Sequence, residues 1–267
     1  MNKSLIAFGL TFSILLTLLS IPAHADALTD IKKRGELRVC TEPAYMPFEL
    51  TNKRGEIVGF DPDLAALMAK DLGVKLELVS TAWDGIIPAL LTEKCDLIMS
   101  GMTITEERAQ KIDFSNPYMV IGQTVLLRKD LADKVKSYKD LNNPKYKITS
   151  KLGTTGEIAA KKYLPKAKYS SFETEQEGVM EVVNGKADAF IYDSPYNAVA
   201  IGQRGEGKLV FLDKPFTDEP LGWAMRKGNP ELMKWINGFL AKVKKDGDYE
   251  KLYQKWFKNT DWLKDVQ

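Results

Sequence analysis

The stretch SGMTITEERAQKIDFSNPY, residues 100–118, decides the fold, because it joins a buried strand to a helix that carries Arg108. The apolar run from Leu97 to Met99 just before it is typical of a short buried strand. Gly101 then allows the backbone to turn tightly. The chain therefore passes directly from the end of a strand into the start of a helix, which is the junction repeated in α/β folds.

Two threonines stand at the start of the predicted helix. Either Thr103 or Thr105 can cap it, and Thr103 with Glu106 has the spacing of a capping box. Free backbone N–H groups at a helix start attract anions, and the planar guanidinium of Arg108, one turn in, can hold a carboxylate with two parallel hydrogen bonds. The stretch predicts a ligand that carries an acid group.

Along the rest of the chain, short β-branched runs alternate with helical patterns, which is typical of parallel sheets covered by helices. We predict a first unit with strands at 37–41, 76–80 and 96–100. A second unit has predicted strands at 146–152, 168–170, 187–193 and 208–212, and helices from Gly156, Thr174 and Pro195. Each unit is predicted to form one α/β lobe.

The sequence Asp61-Pro62 indicates a helix start in the first unit. Asp61 is predicted to be the N-cap and Pro62 the first helical residue, and Gly73 is predicted to end the helix. Asp61 and Asp63 could instead be metal ligands, but capping explains them better.

Two connections between the units are predicted at about 120–123 and 216–222, where Pro220 and Gly222 interrupt regular structure. The tail adds a strand at 221–226, a helix opened by Asn229-Pro230 and a last helix at about 248–257. Several large apolar side chains of the tail have helical spacing and are therefore predicted to pack in the core rather than to form a ligand platform: Trp235, Phe239, Leu252, Tyr253, Trp256 and Phe257.

Residues 1–25 have the three parts of a secretory signal: Lys3, the apolar run 5–19, and Ala23-His24-Ala25 as a cleavage site. No later run approaches the roughly 20 apolar residues that a membrane helix needs. We therefore expect export to the periplasm without membrane insertion and, with no cysteine directly after the signal, without a lipid anchor. Cleavage near Ala25 leaves 242 residues, enough for two domains of ~100 residues or more.

Cleavage also removes His24, the only histidine. A chain without imidazole has no Ser-His or Cys-His nucleophile pair, and two cysteines are too few for a structural zinc site. We predict no catalytic residue, no metal and no cofactor. Loss of Lys3 leaves 37 basic against 36 acidic side chains, so no general field indicates a nucleic-acid partner.

The two cysteines are placed near the end of one predicted strand, at Cys40, and just before the start of another, at Cys95. If these strands are parallel neighbours, the thiols lie several residues apart along the sheet. At ~3.3 Å per residue, that separation exceeds the reach of a disulfide. We therefore predict two free, buried thiols.

Six motifs occur together in the order and spacing of a known family: residues 45–48 (YMPF), 59–63 (GFDPD), 83–90 (WDGIIPAL), 100–118, 153–157 (GTTGE) and 187–193 (ADAFIYD). On these motifs the chain, from about Leu28 onward, resembles the periplasmic solute-binding proteins, family 3, of polar amino acid ABC transporters. The resemblance implies the type II periplasmic-binding-protein fold, in which two lobes with mainly parallel sheets flanked by helices are joined by a two-stranded hinge. The predicted limits are 26–120 and 222–267 for lobe 1, with the tail packed back on it, and 124–215 for lobe 2.

The resemblance also implies a ligand site in the cleft. The ligand carboxylate is expected on Arg108 and on the N–H groups of Thr103 and Thr155, at the turns through Gly101 and Thr154. Asp193 is expected to bind the α-ammonium group, with help from the carbonyl or hydroxyl of Ser100, and Tyr45 and Trp83 to form aromatic walls around the ligand stem. Spacing alone also fits ordinary capping at Thr103, at Asp193, and at Thr154 with Glu157, and it fits core packing for the two aromatics.

The side-chain preference is less defined. Glu42 occupies a position where several members of the family carry an acid that can meet a cationic or amide group. Lys151 occupies a position that, in some glutamine binders, reaches the side-chain carbonyl of the ligand, and the two residues could also pair with each other. We place glutamine or a similar polar amino acid first, and arginine or lysine next.

The resemblance thus implies the binding component of an importer, which closes around a polar L-amino acid and delivers it to an inner-membrane ABC permease with its ATPase. We expect a monomer. One alternative is a cyclohexadienyl (prephenate/arogenate) dehydratase on the same scaffold, for which Glu173 is a candidate general acid. Another is the ligand domain of a receptor. Arg108 together with Asp193 favours amino acid binding over both.

Overall fold

The computed structural model describes residues 26–205 and 207–266, so the predicted signal at 1–25 lies outside the described residues. The strands, numbered in chain order, are β1 (Glu36–Thr41), β2 (Leu50–Thr51), β3 (Ile57–Val58), β4 (Lys75–Ser80), β5 (Leu97–Ile98), β6 (Asp113–Phe114), β7 (Met119–Ile121), β8 (Gln123–Arg128), β9 (Lys147–Lys151), β10 (Lys168–Phe172), β11 (Ala189–Asp193), β12 (Leu209–Leu212), β13 (Glu219–Leu221) and β14 (Ala224–Met225). The α-helices are α1 (Ala27–Arg34), α2 (Phe60–Leu72), α3 (Trp83–Leu91), α4 (Glu106–Lys111), α5 (Thr155–Tyr163), α6 (Glu175–Val183), α7 (Ser194–Arg204), α8 (Pro230–Lys245) and α9 (Asp248–Tyr253).

Two five-stranded sheets form the two lobes. In the first, with the order β4-β1-β5-β14-β6, the strands β4, β1 and β5 are parallel and β14 is antiparallel to both its neighbours. In the second, with the order β10-β9-β11-β8-β12, the strands β10, β9 and β11 are parallel and β8 is antiparallel to β11 and β12. A separate pair, β7 with β13, lies where the chain crosses between the lobes. The predicted two-lobed α/β class is confirmed, and the predicted lobe limits stay a prediction.

Burial follows the position of each strand in its sheet. Every residue of the central strand β11 is buried, whereas every residue of the edge strand β4 is exposed or half-buried. Central parallel strands read as continuous apolar runs because helices cover both of their faces. This rule explains why the run through Ala189 to Tyr192 could be recognised in the sequence.

The tail packs back on lobe 1. The Tyr249 hydroxyl donates to the Tyr118 carbonyl at 2.9 Å, and the Trp256 indole donates to the Asp63 carboxylate at 2.7 Å. Phe239 and Trp256 are buried, and the other predicted tail residues are partly buried against the same core. The prediction of core packing for these side chains is confirmed.

The predicted strand at 221–226 is wrong in one respect, because it is two strands in different sheets. Leu221 ends the hinge strand β13, and Ala224 begins β14 in lobe 1. The break falls at Gly222, whose N–H donates to the Met102 carbonyl at 3.0 Å in an isolated antiparallel bridge between Leu221 and Thr103. A side chain at Gly222 would meet the Ile104 side chain at 2.9 Å, so the close approach needs glycine.

The prediction of free thiols is also wrong. Cys40 and Cys95 form a disulfide, with their Cα atoms 5.6 Å apart. Strand β5 begins only at Leu97, so Cys95 lies in the preceding turn and not on a straight extension of the strand. The Asp96 N–H donates to the Arg38 carbonyl at 2.8 Å, which folds this turn against β1. The prediction assumed that the strand is extended as far as Cys95, and the rise per residue of such a strand therefore overestimated the distance between the two cysteines.

Asp61 does not cap its helix as predicted. The N-cap of α2 is Gly59, and Asp61 is buried in the first turn. Its carboxylate accepts the Gly101 N–H at 2.8 Å and the Tyr118 hydroxyl at 3.0 Å. Gly73 ends the helix in the left-handed conformation, as predicted. Asp61 thus joins α2 to the turn that opens the 100–118 stretch.

Within the described residues, no helix is long and apolar enough to cross a membrane. The same part of the chain holds no group of three or more histidine, cysteine, aspartate or glutamate side chains suited to a metal ion.

Candidate functional site

A small cavity lies between the lobes. Its lining includes nine of the eleven predicted site residues, namely Glu42, Tyr45, Trp83, Gly101, Thr103, Arg108, Thr154, Thr155 and Asp193, together with Tyr192. Ser100 and Lys151 are not part of this lining. The structure therefore collects residues from both lobes, separated by up to about 150 positions in sequence, around one small space.

Arg108 is held in place by backbone carbonyls. One guanidinium nitrogen donates to the Thr103 carbonyl at 2.8 Å, and the other contacts the Gly153 carbonyl of lobe 2 at 3.4 Å. The guanidinium carbon lies 5.1 Å from the centre of the Trp83 ring, within the range of a cation–π contact. Burial lowers the pKa of Arg108, and the charge of Asp193 opposes that shift. A pre-oriented, partly desolvated guanidinium suits a carboxylate ligand.

The capping box predicted at Thr103 is wrong. The N-cap of α4 is Thr105, whose hydroxyl accepts the Arg108 N–H at 3.2 Å. The Thr103 hydroxyl instead donates to the Glu219 carboxylate at 3.0 Å, on the hinge strand β13. Thr103 therefore lies between the hinge and the cavity, one turn before the helix.

The second predicted capping box, at Thr154, is wrong as well. Thr154 does precede α5, but its hydroxyl donates to the Lys151 carbonyl at 2.8 Å. The Glu157 carboxylate accepts the Gly153 N–H at 2.6 Å, one residue earlier than a capping box requires. The Thr155 hydroxyl lies 3.4 Å from the Thr103 hydroxyl, so the two helix starts face each other across the cleft.

Gly101 is tightly enclosed. Its φ is 52°, and a Cβ atom there would lie 2.3 Å from a carbon of the Tyr45 ring. Tyr45 itself is buried and stacks on Phe48 with ring centres 4.8 Å apart. The tight packing fixes the ring of Tyr45 against the turn, at the cavity wall.

Asp193 lies at the end of β11 with its side chain buried. Although its backbone precedes α7, its carboxylate makes no capping hydrogen bond. It accepts hydrogen bonds from the Tyr45 hydroxyl and the Gln123 amide instead. Burial, reinforced by the charge of Glu219, raises the pKa of Asp193 to about 7, against the effect of these two hydrogen bonds. Such a carboxylate gains from a nearby ammonium group.

Lys151 forms a buried cluster with two glutamates. Its ammonium bonds to Glu42 of lobe 1 and to Glu175 of lobe 2, the latter at 3.0 Å. The side chains of Lys151 and Glu175 are each only 1 % exposed. The pairing of Lys151 with Glu42, which the sequence left open, therefore occurs in a cluster that is shielded from water. Burial by itself lowers the pKa of Lys151, but the charges of Glu175 and Glu42 together outweigh it, so that the pKa is raised.

The Ser100 hydroxyl is engaged behind the cavity. It accepts the Glu42 N–H at 3.0 Å and donates to the Glu49 carboxylate. Glu49 is fully buried, and burial raises its pKa well above the ordinary value, with Asp61 adding to the shift. Ser100 thus fixes the backbone at Glu42 through its hydroxyl.

Sequence reasoning missed four polar residues around the site: Gln123, Glu175, Tyr192 and Glu219. Tyr192 is the penultimate residue of a motif that was recognised, so its place next to Asp193 was available as a signal. Glu175 begins α6, where an acid is ordinary at a helix start, and Glu219 precedes a proline in the hinge. Nothing in the local sequence distinguishes Glu175 and Glu219 from acidic residues on the surface.

Contacts cross the cleft throughout the site. The interlobe pairs are Tyr45 with Asp193, Glu42 with Lys151, Thr103 with Thr155, and both Trp83 and Arg108 with Gly153. The two lobes are therefore closed against each other. Glu173, the residue considered as a general acid, is exposed and is not part of the cavity lining.

Residues 37–259 match the bacterial extracellular solute-binding proteins, family 3, and the chain belongs to this family. It is similar to the lysine complex of a putative ABC transporter binding component from Wolinella succinogenes, with 53% identity and a TM-score of 0.84 over 86% of this chain and 99% of that one. It is also similar to AncCDT-1, an ancestral amino acid-binding protein and precursor of cyclohexadienyl dehydratase, with 55% identity and a TM-score of 0.82 over the same shares. The glutamine-binding protein GlnH of Bacillus subtilis is 36% identical, with 87% of this chain and 85% of that protein covered.

Membership of this family makes the chain a solute-binding protein rather than an enzyme, as predicted. The similarity to AncCDT-1 does not favour the dehydratase alternative, because that protein is itself described as amino acid-binding. The family resemblance drawn from the six sequence motifs is confirmed.

Proposed function

We propose that this protein is the periplasmic binding component of an ABC importer and that it binds an L-amino acid between its lobes. One observation carries the proposal: Arg108 and Asp193, from different lobes, line the same cavity. A guanidinium and a carboxylate facing one small space match the two charged groups of an α-amino acid. The proposed partners are an inner-membrane permease and its ATPase, with the binding protein acting as a monomer.

In this proposal the ligand carboxylate binds Arg108 and the backbone N–H groups at Thr103 and Thr155. The α-ammonium group binds Asp193, and Tyr45 and Trp83 enclose the aliphatic stem. Because these groups come from both lobes, a bound ligand bridges them and favours the closed state over an open one. Motion at the two hinge segments, β7 and β13, would interconvert the states.

We propose a cationic side chain, arginine or lysine, as the preferred ligand, ahead of the glutamine that sequence reasoning placed first. The two carboxylates Glu42 and Glu175 exceed the single ammonium of Lys151 by one negative charge. A buried excess of negative charge favours a cation. The lysine complex of the Wolinella protein supports this order, as does AncCDT-1, which is described as a cationic amino acid solute-binding protein.

Glutamine remains the second candidate on one specific observation. Glu42 lines the cavity, and its carboxylate can accept a hydrogen bond from a side-chain amide as well as from a cation. The similarity to GlnH of Bacillus subtilis supports this ligand.

A calorimetric titration tests the proposal. The mature chain would be unfolded and refolded to remove any ligand retained from the host, then titrated with the twenty L-amino acids and with prephenate and arogenate. Binding of arginine or lysine without turnover is expected. Binding of none of the amino acids, or release of phenylpyruvate or phenylalanine, would contradict the proposal.

A further inference from the structure

In the proposed binding mode the ligand side chain points toward Glu42, and we call this part of the cavity its side-chain end. Glu175 lies behind it, on the far side of Lys151, and does not line the cavity itself. The carboxylate of Glu175 accepts a hydrogen bond from the Lys151 ammonium at 3.0 Å and another from the Tyr192 hydroxyl at 2.8 Å, both through the same oxygen. Tyr192 lines the cavity, and Lys151 bonds to Glu42, which also lines it. Glu175 is therefore one residue removed from the cavity through Tyr192, and two residues removed through Lys151 and Glu42.

This glutamate is 1 % exposed, and its second carboxylate oxygen is buried without a hydrogen-bond partner among the described residues. A carboxylate in such surroundings is costly unless a nearby charge compensates it. The nearby charge is Lys151, which must also compensate Glu42. One ammonium thus serves two carboxylates, and the cluster carries a formal charge of −1.

We infer that Glu175 is a specificity-determining residue, which acts through Lys151 to set the charge at the side-chain end of the cavity and thereby the preference for cationic over neutral amino acids. The inference rests on the proposed function. Without Glu175, Lys151 and Glu42 would neutralise each other, and a ligand cation would meet no net charge. With Glu175 present, the charge of Lys151 is compensated by a carboxylate of lobe 2. The negative charge of Glu42 in lobe 1 is then available to a ligand cation.

The test is the ratio of the dissociation constants for L-glutamine and L-arginine, measured by calorimetry on the full mature chain. Glu175→Gln keeps an oxygen that can accept from Lys151 and Tyr192 but removes the charge. We expect arginine to bind about 10- to 100-fold more weakly to this variant, and glutamine to change by less than about threefold. Glu173→Gln is the matched control, because Glu173 is exposed and lies two residues before Glu175, in the loop that leads into α6. It should leave both dissociation constants unchanged.

A second variant separates charge from packing. Lys151→Gln combined with Glu175→Gln restores a formal charge of −1 through Glu42 alone, so the ratio should return to within about threefold of the wild-type value. A merely structural role of Glu175 predicts no such rescue. If Glu175→Gln alone does not fold, the double variant still decides the matter, because a ratio shifted toward glutamine would overturn the inference.

The outcomes also distinguish the two proposals. A wild-type protein that binds no amino acid would overturn the proposed function. A wild-type protein that binds amino acids normally, with the same ratio in the Glu175→Gln variant, would overturn only the role of Glu175.

Discussion

The Tyr45 hydroxyl of lobe 1 donates a hydrogen bond to the Asp193 carboxylate of lobe 2, and both side chains are buried. This contact ties the lobes together at the position where the proposed ligand places its ammonium group. Asp193 has a second donor in Gln123, so its charge is held by hydrogen bonds from both lobes. A ligand ammonium would add a full positive charge to this arrangement, which strengthens closure beyond what a phenol supplies.

Replacing Arg108 with alanine should abolish amino acid binding while leaving the fold intact. The guanidinium contacts two carbonyls and one face of the partly buried Trp83 indole, and no fully buried apolar side chain depends on these contacts. Loss of a two-bond contact to a carboxylate should weaken binding by at least ~100-fold, since each hydrogen bond to a charged group contributes ~1.5–3 kcal/mol. Calorimetry and thermal melting check this, with Arg54→Ala as control, because the Arg54 side chain is 78% exposed. Unchanged affinity in the Arg108 variant would overturn the site.

Amino acid affinity should fall as the pH is lowered through about 7. Only the ionised form of Asp193 attracts an ammonium, and burial raises its pKa to about 7 in the ligand-free protein. Below that pH the dissociation constant should rise by up to ~10-fold per unit. Calorimetry between pH 5.5 and 8 checks this. Asp193→Asn should bind weakly at all these pH values, and a flat wild-type profile would contradict the assignment.

The raised pKa of Asp193 also predicts that the stability of the ligand-free protein changes with pH in the direction opposite to the affinity. Neutral Asp61 and Asp193, both with a pKa raised to about 7 by burial, stabilise the ligand-free fold below their unfolded pKa of ~3.9. That contribution is lost as the pH rises through about 7, because the folded state then gives up protons that it held more tightly. The melting temperature of the ligand-free protein should therefore fall between pH 5 and 8, and Asp61→Asn should reduce this dependence. An increase over that range would contradict the burial of these groups.

Asp61→Ala should weaken amino acid binding although Asp61 is not part of the cavity lining. Its carboxylate holds the Gly101 N–H and the Tyr118 hydroxyl, and removal leaves two buried donors unpaired. A loss of about 1–3 kcal/mol in the free energy of unfolding is expected, together with lower affinity because the turn loosens. Asp61→Asn retains an acceptor oxygen and should keep most of the affinity. Equal affinities in all three proteins, measured by calorimetry, would show that this bond does not position the turn.

Reduction of the Cys40–Cys95 disulfide should destabilise the protein without altering the site. The bond closes a loop with a sequence separation of 55 residues, for which chain entropy gives a stabilisation of about 4 kcal/mol. Denaturant unfolding of the oxidised protein and of a Cys40→Ala/Cys95→Ala variant measures this difference. Equal free energies of unfolding would show that the bond is absent or without effect.

A feature of the fold or of the site could be predicted from the sequence when the residues that determine it are neighbours in the chain. The turn at Gly101 and the buried run ending at Asp193 follow from residues that are neighbours in the chain, and both were predicted. Asp61 had a local explanation, capping, that was wrong, because its true partners Gly101 and Tyr118 lie at least 40 positions away. Contacts between residues that are distant in the chain cannot be predicted from the spacing of residues in the sequence.

The cysteines and Glu175 show the same limit. The path of the turn that carries Cys95 back to β1 depends on a hydrogen bond between Asp96 and Arg38, which strand geometry does not reveal. Glu175 reads as an ordinary acid at a helix start, and only the fold places it against Lys151. Charge clusters built from separate elements have to be found in the structure.

The central claim is that Arg108 and Asp193 bind the two α-groups of one amino acid. Its most direct test is a calorimetric comparison of L-lysine with cadaverine, which lacks the carboxylate, and with 6-aminohexanoate, which lacks the α-ammonium. The account predicts that L-lysine binds at least ~100-fold more tightly than either analogue, because each analogue leaves one buried charge of the site unpaired. Binding of cadaverine or 6-aminohexanoate as tight as that of L-lysine would contradict it.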